Sequence, residues 1–373
     1  MRLCYVVGAR PNFVKMAPVI SALRRRAPDA RHTVVHTEQH YDEAMSRVFL
    51  DELDIPEPDH ALGVGSGTHA AQTARAMLAL EPVLVEEEPD LLVVAGDVNS
   101  TLAAALTAAK LEVPIAHVES GLRSFDRTMP EEHNRVLTDR LSEILFVHCR
   151  DAVDNLRREG FVDRHVHFVG NTMIDSLVAT LPALEQLDTP ARLGLEGEFV
   201  LVTLHRPPLV DGALLEPAMD ALADLSRQIP VVFPVHPRTR RRLAGWSAPP
   251  ELRLVEPLGY LEFLDLERLA SAIVTDSGGV QEESTFLGVP CFTLRDNTER
   301  PVTIDEGTNT LLGLRPERLA EIPSLLARRD GRPHRSPPGW DGRAGERAAD
   351  VVVEWLAAGR AAPPPESVPA SSA

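Results

Sequence analysis

Residues 272–287, AIVTDSGGVQEESTFL, decide the fold. The first four are apolar and β-branched, as a buried strand requires, and the pattern from Val280 to Leu287 is that of a helix. A strand passing through Asp276-Ser277-Gly278-Gly279 straight into a helix is the repeating unit of a parallel sheet. Gly278 and Gly279 let backbone amides approach a ligand closely, and the helix N-terminus favours negative charge. Glu283 lies four residues after Gly279 and returns to the face above the glycines. A carboxylate there can accept hydrogen bonds from both hydroxyls of a ribose. Glu282, about a quarter circle away, is expected to face solvent. Diphosphate on Ser277, Gly278 and Gly279 with ribose on Glu283 is a nucleotide reading; the alternative is a turn that glycine merely tightens.

The same alternation extends in both directions. Strand candidates 199–203, 231–235, 253–255 and 290–294 interleave with helical patterns at 213–227, 261–269 and 280–287. Upstream, candidates 3–7, 32–37, 91–95, 114–118, 144–148 and 165–169 interleave with helices at 13–25, 71–86 and 101–111. Residues 179–197, with Pro and charge, read as a hinge. The expectation is an α/β protein of two Rossmann-like domains, 1–178 and 198–340, facing across a cleft where ligands of open α/β sheets bind. A terminal helix over 345–360 is expected to pack back on the first domain, and residues 361–373 to be disordered.

The chain has 373 residues, and 55 Asp plus Glu against 38 Lys plus Arg give a net charge of −17. Such a surface repels nucleic acid and anionic membranes, so neither is expected as a partner. No apolar run has membrane-spanning length, and the opening MRLCYVVGARP reads as a first strand rather than a signal segment. Three widely spaced cysteines in apolar runs read as reduced core thiols, which points to the cytoplasm. No His/Cys cluster has metal spacing, and none is expected to hold a metal. Gly63-Val64-Gly65-Ser66-Gly67 does not follow a strand and reads as a flexible loop rather than a dinucleotide fingerprint.

The first half places charge where a cleft enzyme needs it. Arg10 and Lys15 sit at the start of the first helix after Gly8, positions that suit a phosphate or diphosphate. Asp97 follows the strand at 91–95, Glu119 follows the strand at 114–118, and Glu131 follows Pro130 at a helix start. Crowded carboxylates have raised pKa values and exchange protons near neutral pH. Taken singly, each could equally cap a helix or pair with an Arg such as Arg135.

Together these residues resemble the non-hydrolysing UDP-N-acetylglucosamine 2-epimerases. The similarity runs from about residue 3 to 315 through GARPNFVKMAPVI (8–20), Gln39-His40, Gly96-Asp97, HVESGLRS (117–124), PEEHNR (130–135), GNTMID (170–175), His205-Arg206, His236-Pro237, TDSGGVQEE (275–283), TERP (298–301) and GTNTLLG (307–313). The resemblance implies a GT-B-like architecture, a homodimer, a UDP-N-acetylhexosamine substrate, and neither cofactor nor metal. It implies elimination of UDP across C1–C2 to 2-acetamidoglucal, followed by re-addition with inversion at C2. By matched position, Asp97, Glu119 and Glu131 supply the acid–base chemistry. Arg10, Lys15 and His205 hold the departing diphosphate with Ser277, Gly278 and Gly279, Glu283 takes the ribose, and Phe263 contacts uracil. Gln39, His40, Arg135, His236 and Arg300 complete the substrate site.

Departures from the family pattern are Ala9 for Thr, Glu38 for Gly, Ser120 for Ala, and Pro207-Pro208-Leu209 after His205-Arg206. Glu38 brings charge and bulk to a strand end facing the cleft. A UDP-sugar glycosyltransferase of the same architecture, a hydrolysing 2-epimerase and a non-catalytic UDP-sugar sensor are the competing readings. The three carboxylates of the first domain distinguish the epimerase from a transferase, which typically needs one base.

Overall fold

The computed structural model describes residues 1–38, 57–328 and 336–359. In the first half, β1 (Arg2–Val7), β2 (Arg31–His36), β3 (His60–Ala61), β4 (Leu91–Ala95), β5 (Ile115–Val118), β6 (Ile144–Val147) and β7 (Val166–Phe168) form one sheet in the order β3-β2-β1-β4-β5-β6-β7. In the second, β8 (Val200–Thr203), β9 (Val231–Pro234), β10 (Leu252–Val255), β11 (Ala272–Thr275), β12 (Cys291–Thr293) and β13 (Asn309–Leu311) are ordered β10-β9-β8-β11-β12-β13. Neighbouring strands run parallel, as in β1 with β4 and β8 with β11.

The strands read as unbroken apolar runs because both faces are covered. Leu3, Tyr5 and Val7 of β1 join Leu91, Val93 and Ala95 of β4 in one core, while Cys4, Val6, Leu92 and Val94 enter another on the opposite face. This is the two-residue period of a strand used twice. Strand order reverses between β1 and β4, and again between β8 and β11. Loops leaving adjacent strands at such a point diverge and open a crevice at the strands' C-terminal ends. Gly8 to Arg10 and Gly96-Asp97 therefore rim one crevice, and His205-Arg206 and Asp276 to Gly279 the other.

Three local expectations change. The span 179–197 is not a bare hinge: helix Thr172–Leu184 runs on through its start, with Leu177 and Leu184 in the first core, and helix Thr189–Arg192 follows. The glycine-rich loop at 63–67 is tied down. Val64 and Gly65 donate backbone N–H bonds to the carbonyls of Thr37 and Glu38, and the Gln72 and Arg75 side chains donate to loop carbonyls. Strands β3 and β13 escape the sequence because two and three residues hold no readable period.

Helix Ala344–Ala357 lies against helices Arg10–Arg26 and Thr172–Leu184. It buries Ala348, Ala349 and Val352 in the first domain's core. Its first amides, Ala344 at 3.0 Å and Gly345 at 2.7 Å, donate to the Asp175 carboxylate. Cys4, Cys149 and Cys291 are buried and unpaired with one another. Among the described residues no helix is long and apolar enough to cross a membrane. Residues 361–373 lie outside those described.

Candidate active site

Glu119 follows β5 with φ 68°, a conformation that costs an L residue free energy and persists only where its surroundings enforce it. Its Oε2 pairs with Lys15 Nζ, from the second turn of helix Arg10–Arg26, and its Oε1 accepts from Arg300 Nη2 at 2.6 Å. Gly96 (φ 65°) closes the space beside them: a Cβ there would stand 3.2 Å from Lys15 Nζ and 3.3 Å from Glu119 Oε2. His117 fixes that turn, its Nε2 2.8 Å from the Gly96 carbonyl and its Nδ1 2.7 Å from Asp139 Oδ1. Burial pushes the Glu119 carboxyl up, but Lys15 and Arg300 outweigh it and hold the group below its ordinary value. The raised pKa expected from crowded carboxylates is therefore reversed at Glu119, because cations interleave with the acids.

Asp97, after β4, receives two bonds from Arg135, Nη2 at 2.5 Å and Nε at 3.0 Å, while Arg135 Nη1 donates to Glu132 at 2.6 Å. Pro130 opens helix Pro130–Leu141, so Glu131 sits in its first turn. Glu131 lines a cavity of about 550 Å³ between the domains, shared with His205, Arg206, Asp276, Arg295 and Asn297.

On the second domain, Ser277 stands at the N-cap position of helix Gly278–Leu287, with no capping bond from its side chain. The first N–H groups of a helix have no partner within it and suit an anion. A Cβ at Gly278 would collide with Arg300 Nη1, and one at Gly279 would stand 3.4 Å from Met173 Sδ of the first domain. Asp276, buried at the end of β11, accepts the backbone N–H groups of His205 at 2.9 Å and Arg206 at 2.8 Å and faces His205 Nδ1 at 3.0 Å. It thereby fixes the loop that presents His205 to the cavity. Glu283 is buried beside Tyr260, whose hydroxyl donates to it at 3.4 Å. Burial and the neighbouring Glu282 charge push the Glu283 carboxyl up to about 7.

Glu282 does not face solvent. It is 1 % exposed, with Oε2 3.1 Å from Arg300 Nε and Oε1 2.9 Å from His148 Nε2. Helix phase alone places it off the ligand face, but that side of the helix meets the first domain rather than water. Burial works against its ionisation, yet Arg300 and His148 bring it down to about 2. Glu299, buried among Arg300, Arg295, Arg135 and Arg206, is also held well below the ordinary range. Sequence reasoning gave no role to His148, Asp276 or Glu299; the acidic positions in the TDSGG and TERP stretches were the available signal.

Other sequence candidates are placed less directly. Gln39 and His40 lie outside the described residues, as does the side chain of Arg10. His236 is exposed just before helix Pro237–Arg242. Phe263 is half-buried against the apolar cluster of Leu195, Phe199 and Leu266. The departures are accommodated locally. Glu38 adopts φ 54°, the region glycine favours, and its Oε2 accepts the Gly63 N–H at 2.8 Å. Ser120 donates to the Phe146 carbonyl at 3.0 Å, and Pro207–Val210 forms a short helix. Among the described residues no group of three His, Cys, Asp or Glu could hold a metal ion.

A sequence model described as UDP-N-acetylglucosamine 2-epimerase matches residues 22–353. This chain belongs to that family. It is 41% identical over 368 residues to the UDP-N-acetylglucosamine 2-epimerase of Methanocaldococcus jannaschii, covering 95% of this chain and 99% of the relative. The solved structure of the M. jannaschii UDP-GlcNAc 2-epimerase, in complex with UDP-GlcNAc and UDP, superposes with a TM-score of 0.87 at 41% identity, over 96% of this chain and 100% of the other. The UDP-2,3-diacetamido-2,3-dideoxy-D-glucuronate 2-epimerase of Pseudomonas aeruginosa is 42% identical over 325 residues, 86% of this chain and 91% of that protein. The chain is thus an isomerase of the 2-epimerase family with the GT-B-like fold of its relatives.

Proposed function

We propose that this epimerase interconverts UDP-N-acetylglucosamine and UDP-N-acetylmannosamine. The observation that carries the reading is Glu119, fixed by Lys15 and Arg300 where the two domains meet, with Asp97 beyond the end of the neighbouring strand β4 and Glu131 in the first turn of helix Pro130–Leu141. The C2 hydrogen is not adjacent to a carbonyl, so direct deprotonation is hard. Anti elimination avoids that: a carboxylate takes the C2 proton, the C1–oxygen bond breaks, and UDP departs with the bonding electrons. Re-addition of UDP to 2-acetamidoglucal, with a proton delivered to the opposite face of C2, gives the epimer. Asp97, Glu119 and Glu131 move the protons. His205, Arg10, Lys15 and the amides of Ser277, Gly278 and Gly279 stabilise the departing diphosphate. Glu283 holds the ribose and Phe263 the uracil. No cofactor or metal takes part, and the enzyme works as a cytoplasmic homodimer.

A proton NMR time course with UDP-N-acetylglucosamine in deuterium oxide tests this. UDP-N-acetylmannosamine with deuterium at C2 is the expected product. Product that retains hydrogen would exclude solvent-exchanging elimination, and free sugar with UDP would mean a hydrolysing enzyme. The similarity to the P. aeruginosa protein supports one second reading, a 2,3-diacetamido uronate as the sugar. Turnover of that nucleotide sugar alone would select it.

A further inference from the structure

One guanidinium, that of Arg300, meets three carboxylates: Glu119 through Nη2 at 2.6 Å, Glu299 through Nη1 at 2.5 Å, and Glu282 through Nε at 3.1 Å. The first belongs to one domain and the other two to the second, and the Arg300 side chain is about 5 % exposed. Glu282 is itself held from behind. Its other oxygen lies 2.9 Å from Nε2 of His148, the residue that follows β6 in the first domain. The chain His148–Glu282–Arg300–Glu119–Lys15 therefore crosses between the domains twice, and each side chain in it is buried.

We infer that Glu282, braced by His148, is a positioning residue that holds Arg300 in place beside Glu119 where the two domains meet. The Glu282–Arg300 Nε contact at 3.1 Å is a charge contact without hydrogen-bond alignment, so Glu282 holds the guanidinium by Coulomb attraction in a buried setting where that attraction is little screened. Glu282 has a second effect through its charge. Lys15 and Arg300 both lower the proton affinity of Glu119, and His148 adds to them, whereas Glu282 opposes them. Asp97 and Glu299 act on the same guanidinium. Taking away the Glu282 charge leaves Glu119 facing cations with less opposition, which makes it a weaker base. Glu282 does this from within the protein: it is 1 % exposed and lies about a quarter turn of the helix away from Glu283.

This inference rests on the proposed role of Glu119, and its test separates the two. Glu282→Gln keeps the size and removes the charge. In protein carrying 13C-labelled glutamate carboxyls, the Glu119 signal is assigned by its loss in Glu119→Gln. Its titration midpoint is expected about one unit lower in Glu282→Gln than in the wild type, the scale of one lost charge interaction. Epimerisation is expected to fall at least about tenfold in kcat, with the acidic limb of the pH profile displaced to lower pH and UDP affinity within about threefold. His148→Gln, which keeps a polar side chain but removes a group that lowers the proton affinity of Glu119, is expected to move the Glu119 midpoint the other way, to higher pH and by less, with a smaller loss of kcat. An unmoved Glu119 titration in both variants overturns the inference, as does loss of UDP affinity in proportion to kcat. If Glu282→Gln fails to fold, His148→Gln decides alone. A moved titration in a protein whose wild type does not epimerise keeps the positioning role and sinks the proposed function.

Discussion

Arg300 of the second domain holds Glu119 of the first at 2.6 Å, and Lys15 closes on the other oxygen of the same carboxylate. The ion pair ties the proposed chemistry to the arrangement of the two domains. A guanidinium serves several carboxylates at fixed angles, whereas an ammonium is a point charge. Arg300→Lys should therefore keep the charge and lose the geometry. Its kcat is expected to drop at least about tenfold, or ~1.4 kcal/mol in the barrier, in the NMR epimerisation assay. Unchanged turnover would show that charge alone suffices.

The acid–base assignment is tested by Asp97→Asn, Glu119→Gln and Glu131→Gln. Each should lower turnover by roughly 10²–10⁴-fold, the range for a positioned proton-transfer group. Calorimetric UDP affinity should change little, because the three side chains lie on the first domain and the nucleotide motif on the second. Near-normal turnover in all three would end the assignment.

Gly96→Ala should be harmful for two separable reasons. The φ of 65° strains any L residue by about 1–3 kcal/mol, and the added methyl would press on Lys15 Nζ and Glu119 Oε2 at 3.2 and 3.3 Å. Gly65→Ala provides the comparison, with φ 67° and, among the described residues, no heavy atom within 4 Å of its Cβ. Both variants should lose thermal stability, and only Gly96→Ala should also lose turnover. Equal activity losses would place the cause in backbone strain.

Periodicity carried most of the fold, because parallel strands covered on both faces are continuous apolar runs that stand out between helices. It failed at β3 and β13, which are too short for a period, and at 179–184, where Pro182 suggested a break inside a helix packed by Leu177 and Leu184. Site residues on strand ends, such as Asp97 and Glu119, were legible because a doubly wound sheet directs its ligand there. His148 and Glu282 were not. Their role depends on which helix face meets the other domain, and that is a property of the assembled halves rather than of local sequence.

The last prediction concerns Glu283. Its carboxyl is buried beside the Glu282 charge and is pushed up to about 7, whereas a glutamate in an unfolded chain titrates near 4.5. To accept both ribose hydroxyls it must be ionised, so UDP affinity should rise with pH through about 7 and level off above. UDP's own phosphate titrates near pH 6, but it does so with every variant, so the difference between the wild type and Glu283→Gln isolates the side chain. Folding carries the opposite sign. Between pH 4.5 and 7 the folded state holds a proton that the unfolded state has released, so this group's contribution to stability falls as pH rises across that window. Glu283→Gln should therefore weaken UDP binding by roughly 1.5–3 kcal/mol above pH 7. Over the same range the ligand-free protein should melt higher than wild type. Titration calorimetry and thermal melts from pH 5.5 to 8.5, about 1.5 units either side of the midpoint, measure both. Glu282 cannot serve as a neutral control, since it anchors Arg300. A pH-independent difference in affinity, or a variant less stable than wild type at pH 8, would mean that Glu283 is not the ionising ribose contact.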